Sequence, residues 1–184
     1  GIAALTMAVP VQFGGPIVPI AYAAEGAAPA WVAGRLRHGY AGVTAAILGG
    51  MSIAHVLMFE YPFADLTHPA HANRVLLNGS AMTVVFQVLA LTVAGYFVRI
   101  ATVRQTLVAV GLALTAYALP FELSGNWLIA AWSGVAAIGF LLLGQAGWQQ
   151  GRGLDVLPGR LLLSIAASGA WLLSLGHLVT YEYP

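Results

Sequence analysis

Three groups of residues in this 184-residue chain have types and spacing that suit chemistry. Glu25 stands near the middle of an apolar stretch, Pro16–Gly34, with Ala21, Ala28 and Pro29 on the same helical face. A carboxyl group there suits a proton relay, an ion site or a polar substrate contact, because an ionisable residue inside a membrane is costly enough to need a purpose. His55 and His177 each precede a glutamate by five residues, Glu60 and Glu182. A pair of histidines at equivalent places on two helices can ligate haem or a metal between them. Asp65, His68 and His71 form the densest polar group in the chain, and one carboxylate with two imidazoles suits zinc.

Each group also has a plainer reading. A protonated Glu25 hydrogen-bonded to a neighbouring helix would hold two helices together. Pro29 deprives the Glu25 carbonyl of its usual helical partner, which a polar neighbour could replace. His55 and His177 fall at helix C-termini, where an imidazole interacts favourably with the helix dipole, and histidine and glutamate five apart do not face each other. Asp65, His68 and His71 match no strong metal motif, and Pro69 interrupts helical spacing, so a solvated loop accounts for them better than a metal site. No Walker glycine loop, nucleophile elbow or pair of carboxylates within one span is present. No catalytic residue is therefore expected, and no cofactor unless the two histidines hold a haem.

The elements that must position these residues follow from composition. Hydrophobic residues make up 60% of the chain and charged residues only 7%, with a mean hydropathy of +0.85. Soluble domains carry about 25% charged residues, and a chain of this size cannot bury so much apolar surface internally. The absence of cysteine excludes disulfides and thiolate chemistry, and a net charge of +1 leaves no basic surface for nucleic acid. An all-α polytopic membrane bundle remains, with lipid and other transmembrane helices as its partners.

A helix needs about 20 largely apolar residues to cross the bilayer. Pro16–Gly34, Gly39–Phe59, Val75–Ile100, Thr106–Leu123, Trp127–Trp148 and Leu161–Thr180 fit or nearly fit, giving about six spans, with Gly1–Phe13 read as the end of a partial one. Arg35 and Arg37, Arg99 and Arg104, and Arg152 and Arg160 fall at alternate connections. Six of the seven basic residues thus lie on one side. The positive-inside rule makes that side cytoplasmic and puts the C-terminus outside. Phe59, Tyr61, Trp127, Trp148, Tyr181 and Tyr183 suit interfacial belts. Small pairs such as Ala130 with Gly134, or Gly49 with Gly50, suit helix packing.

Punctuation recurs along the chain. Residues 52–62, SIAHVLMFEYP, and 174–184, SLGHLVTYEYP, share five of eleven positions, and Ala8–Gly15 aligns with Ala118–Gly125. The offsets are 122 and 110 residues, with the difference placed around Gln149–Gly159. We therefore expect two parallel four-helix repeats, residues 1–105 and 106–184, the second lacking its last helix, in a piece of a longer array. Glu25 aligns with Val135, so its carboxyl is not duplicated.

The stretch Ala8–Arg37, AVPVQFGGPIVPIAYAAEGAAPAWVAGRLR, resembles the signature of bacterial membrane proteins grouped as domain-of-unknown-function family 2339. The likeness is carried by the proline-containing helix end, the small turn, the alanine-rich helix with Glu25-Gly26, then Trp31 and Gly34-Arg35. Asn78 also looks like the family's asparagine after its outer loop. The resemblance implies a many-spanning inner-membrane protein and no particular activity. Three functions are then expected in descending order: a membrane scaffold or accessory module, a transporter or channel using Glu25, and a haem- or metal-bearing subunit.

Overall fold

The computed structural model describes residues 8, 10–36, 39–63, 79–97, 101–149 and 157–182. Their regular elements are helices: α1 Ile17–Leu36, α2 Gly39–His55, α3 Gly79–Phe97, α4 Ala101–Glu122, α5 Gly125–Gln149 and α6 Leu157–His177. Among the described residues there is no strand. Five helical stretches are long and apolar enough to cross a membrane: Tyr40–Glu60, Gly79–Phe97, Thr102–Glu122, Gly125–Gln145 and Gly159–Thr180. The chain is thus an all-helical protein of multi-pass membrane character. Helix α1 has 20 residues but lies outside that apolar set, because Pro19, Glu25, Pro29 and Arg35 dilute it. Several helices reach past the expected span ends. Helix α4 starts at Ala101 and carries the exposed Arg104 in its first turn, for a long side chain can leave the apolar zone while its backbone stays helical.

Two compact units divide the chain, Gly1–Ala70 with Val75–Arg99, and His71–Arg74 with Ile100–Pro184. In the first, α1 packs on both α2 and α3. Val18, Tyr22, Ala23 and Ala30 of α1, Leu48 of α2, and Val84 and Leu91 of α3 are buried. Helices α1 and α3 approach tightly at Gly34, where an added Cβ would stand 2.5 Å from the Phe97 carbonyl oxygen. In the second unit α6 packs on α4 and α5. Ala116, Leu128, Trp132, Val135, Ala136 and Ala170 form its core, with Leu112, Leu119 and Leu123 against them.

Two local features occur once in each unit. Helix α1 follows, and helix α5 begins with, a glycine in the left-handed region, Gly15 at φ 58° and Gly125 at φ 56°, a conformation an L side chain resists. Helices α2 and α6 both end in a five-residue π-helical turn, Val56–Glu60 and Leu178–Glu182, each directly after a histidine. The first closes with the Tyr61 N–H donating to the Val56 carbonyl at 2.9 Å. Such turns widen a helix by one residue and re-aim the side chains beyond them.

Candidate functional site

The most complete polar constellation lies where α1, α2 and α3 meet. Ser52, Thr83 and Gln87 are at most 1% exposed. Ser52 Oγ contacts the Pro19 carbonyl oxygen at 2.7 Å and also the side-chain amide oxygen of Gln87. A hydroxyl has one proton, so only one contact is a donation at a time, and turning the amide over makes its NH2 the donor to Oγ. Thr83 Oγ1 donates to the Gly79 carbonyl at 3.0 Å and approaches that of Pro16 at 3.4 Å. Toward the end of α2, Ser80 donates to Glu60 Oε2 at 2.8 Å. Most other helical hydroxyls, such as Thr44, Thr92 and Thr115, bond to the carbonyl one turn back. Ser52 reaches across helices instead.

The second unit has a counterpart. Ser174 Oγ donates to the Ile129 carbonyl at 3.2 Å and meets Ser133 Oγ at 2.9 Å. With Ser133 as donor to Ser174, both contacts are satisfied. Trp132 Nε1 donates to the Ala116 carbonyl at 2.8 Å. Pro120, four residues on, has no N–H to offer that oxygen. The indole therefore fills a gap that the proline opens.

Glu25 is half-buried on α1 and takes part in an interaction of its own. The residue aligned with it, Val135, is 7% exposed and belongs to the apolar core of the second unit. His55 stacks at 4.7 Å on Phe59, one turn later, and its Nε2 is buried without a hydrogen-bond partner among the described residues. His177 stands edge-on to Trp132 at 5.9 Å, in a shallow groove of about 590 Å³ that Gly169, Gly176 and Thr180 also line. The two histidines thus have unlike surroundings. Among the described residues no three of His, Cys, Asp and Glu are grouped to hold a metal ion.

Asp65, His68, His71, Asn78, Arg37, Arg99 and Arg152 lie outside the described residues. Arg35 and Arg104 are exposed, and Arg160 is half-exposed. The small pairs read as packing faces differ: the Gly49 backbone lies against α1, 3.5 Å from a Cβ added at Gly26. Ala130 and Gly134 are exposed, and an added Cβ at Gly49, Gly50 or Gly134 meets nothing within 4 Å. Close packing occurs instead at Gly26, Gly34, Gly139 and Gly159. Smallness permits a close approach, but the helix rotation that buries the larger neighbours decides where it happens. Sequence reasoning also passed over Gln87, although an amide inside an otherwise apolar span was a readable signal.

Compared with protein-family models, with curated proteins and with solved structures, the chain finds no match. The likeness to family 2339 therefore rests on the residues quoted for it.

Proposed function

We propose that the chain is a non-enzymatic membrane scaffold or accessory module, built from two parallel copies of one helical unit, within a larger bacterial inner-membrane protein or complex. The observation that carries this reading is the use made of polar groups inside the spans. Ser52, Thr83, Gln87, Trp132 and Ser174 all serve contacts between helices or to their backbone carbonyls. Hydroxyls and amides used this way are glue for helix assembly. The matched glycine turns, π-turns and serine contacts support the duplication. The arginine distribution supports cytoplasmic Arg35, Arg37, Arg99, Arg104, Arg152 and Arg160 and an outer C-terminus. The test is reconstitution into liposomes under a proton or sodium gradient. We expect no flux above that of empty vesicles, and gradient-driven flux would overturn the reading.

A second reading, a transporter or channel, is favoured by Glu25. It sets a carboxyl where the other unit has an apolar core residue, Val135. That substitution has no evident packing benefit. Under this reading Glu25→Gln abolishes flux in the liposome experiment while leaving the helical content unchanged.

A further inference from the structure

We propose that the groove on α6 seats one acyl chain of a membrane phospholipid and holds that lipid's ester carbonyl on the Thr180 hydroxyl. Gly169, Leu173, Gly176, His177 and Thr180 fall at three- and four-residue intervals, so they form one stripe along α6 and its π-turn, and Trp132 of α5 walls it. The floor is glycine: a Cβ added at Gly169 or Gly176 meets nothing within 4 Å. The volume of about 590 Å³ falls within the roughly 300–1,000 Å³ of small-ligand sites.

The length of the groove selects its occupant. Thr180 ends the apolar span Gly159–Thr180. From there to Gly169 the stripe runs about 16 Å at 1.5 Å per residue, close to half of the roughly 30 Å hydrocarbon core. Further along the same stripe the bulky side chains of Ile165 and Leu162 stand exposed, and they close the groove near the bilayer centre. A transmembrane helix packs along a whole span, whereas the acyl chain of one leaflet fills half of it.

The polar end of the groove fits the other part of the lipid. Thr44, Thr83, Thr92, Thr106 and Thr115 each donate to the carbonyl one turn back. Thr180 is exposed and makes no such bond among the described residues. It stands in the π-turn Leu178–Glu182, whose repeat is five residues instead of four. A hydroxyl left open at the edge of the hydrocarbon needs an acceptor, and the ester carbonyls of phospholipids lie at that depth. No arginine or lysine is among the described residues lining the groove, so recognition falls on the chain and the ester and not on headgroup charge. The aligned positions of the first unit are Ile47, Ala54 and Met58, which offer neither a glycine floor nor a hydroxyl. Only this contrast depends on the duplication, and the site is independent of the scaffold reading.

The test titrates dioleoyl phosphatidylcholine, and its di-ether analogue without ester carbonyls, into the delipidated protein and counts bound lipids by native mass spectrometry. Gly176→Leu fills the groove without a clash and should bind one lipid fewer than the unsubstituted protein. Gly144→Leu, at an equally open glycine outside the groove, should bind the same number. Thr180→Val should weaken binding of the ester lipid about three-fold, the weight of an average hydrogen bond between membrane groups, and leave the ether lipid unaffected. An unchanged count for Gly176→Leu, or an equal effect of Thr180→Val on both lipids, overturns the proposal. A photoreactive residue at Leu173 identifies the occupant in the native membrane: a crosslink to phospholipid supports the proposal, and one to protein or to another membrane-soluble molecule overturns it. Flux in liposomes tests the scaffold reading separately and leaves these counts untouched.

Discussion

Ser52 and Ser174 stand 122 positions apart, and each directs its hydroxyl across a helix pair to the carbonyl oxygen four residues after a left-handed glycine. The acceptors are Pro19, at 2.7 Å, and Ile129, at 3.2 Å. Each serine stands three residues before the histidine that precedes a π-turn. A hydroxyl can hold two helices in register at one depth only, so the pair fixes how α2 sits on α1 and how α6 sits on α5. The second contact differs: Ser52 meets the Gln87 amide, and Ser174 meets another hydroxyl.

This difference gives the two serines unequal weight. Hydrogen bonds between membrane helices average about 0.6 kcal/mol and reach about 1.7 kcal/mol. Ser174→Ala should cost near the average, since Ser133 keeps access to the surface. Ser52→Ala should cost near the maximum, because it also strips a partner from a fully buried amide. Unfolding midpoints in mixed detergent–SDS titrations rank the two. An equal or reversed order would show that the Ser52–Gln87 contact contributes nothing.

The Trp132 indole and the Pro120 ring make a coupled pair although they never need to touch. Pro120 leaves the Ala116 carbonyl without its usual helical donor, and Trp132 Nε1 supplies one at 2.8 Å. Trp132→Phe should therefore cost about 1–2 kcal/mol, the penalty of an unsatisfied buried carbonyl. In a Pro120→Ala background the backbone N–H returns, and the same substitution should cost clearly less. A double-mutant cycle on unfolding free energies measures the coupling. A coupling energy of zero would mean that the carbonyl is served by another donor.

Glycines at two positions should respond oppositely to one added methyl group. At Gly34 the methyl would fall 2.5 Å from the Phe97 carbonyl oxygen, a backbone atom that cannot swing aside. Gly34→Ala must push α3 off α1, and a loss of about 1–3 kcal/mol, the usual cost of overpacking, is expected. Gly134→Ala meets open space and should be neutral or slightly stabilising, as alanine is the better helix former by up to about 1 kcal/mol. Thermal denaturation of the purified variants in detergent separates them. A Gly134→Ala variant as damaged as Gly34→Ala would place a neighbour on the exposed side of α5.

Much of this fold was readable because the bilayer leaves few choices. Apolar runs near the length of a membrane span can only be helices there, and all six described helices fall on runs marked from composition. Proline and glycine marked the helix boundaries that Gly15 and Gly125 now occupy, whereas the two π-turns fall within stretches read as plain helix. Rotation about each helix axis was not readable. Apolar residues surround these helices on every side, so no amphipathic stripe shows which face meets protein and which meets lipid. For that reason the close approaches at Gly26 and Gly139 could not be told in advance from open small residues such as Ala130 and Gly134. The buried cluster of Ser52, Thr83 and Gln87 was hidden by the same ambiguity: each residue is unremarkable within its own span, and only helix crossing brings them together.

The orientation implied by the arginines has a direct test, because the cysteine-free chain accepts single reporters without background. Arg104 is exposed on α4, on the side read as cytoplasmic, and Ser124 is exposed in the turn between α4 and α5 at the opposite end. Their separation is set by helix geometry: Arg104 to Glu122 spans about 27 Å at 1.5 Å per residue, close to the thickness of the hydrocarbon core. A membrane-impermeant maleimide added to spheroplasts should label Ser124→Cys at once and Arg104→Cys only after permeabilisation. The reverse pattern would invert the topology. It would set six arginines on the outer face, against the bias that ordinarily orients short loops.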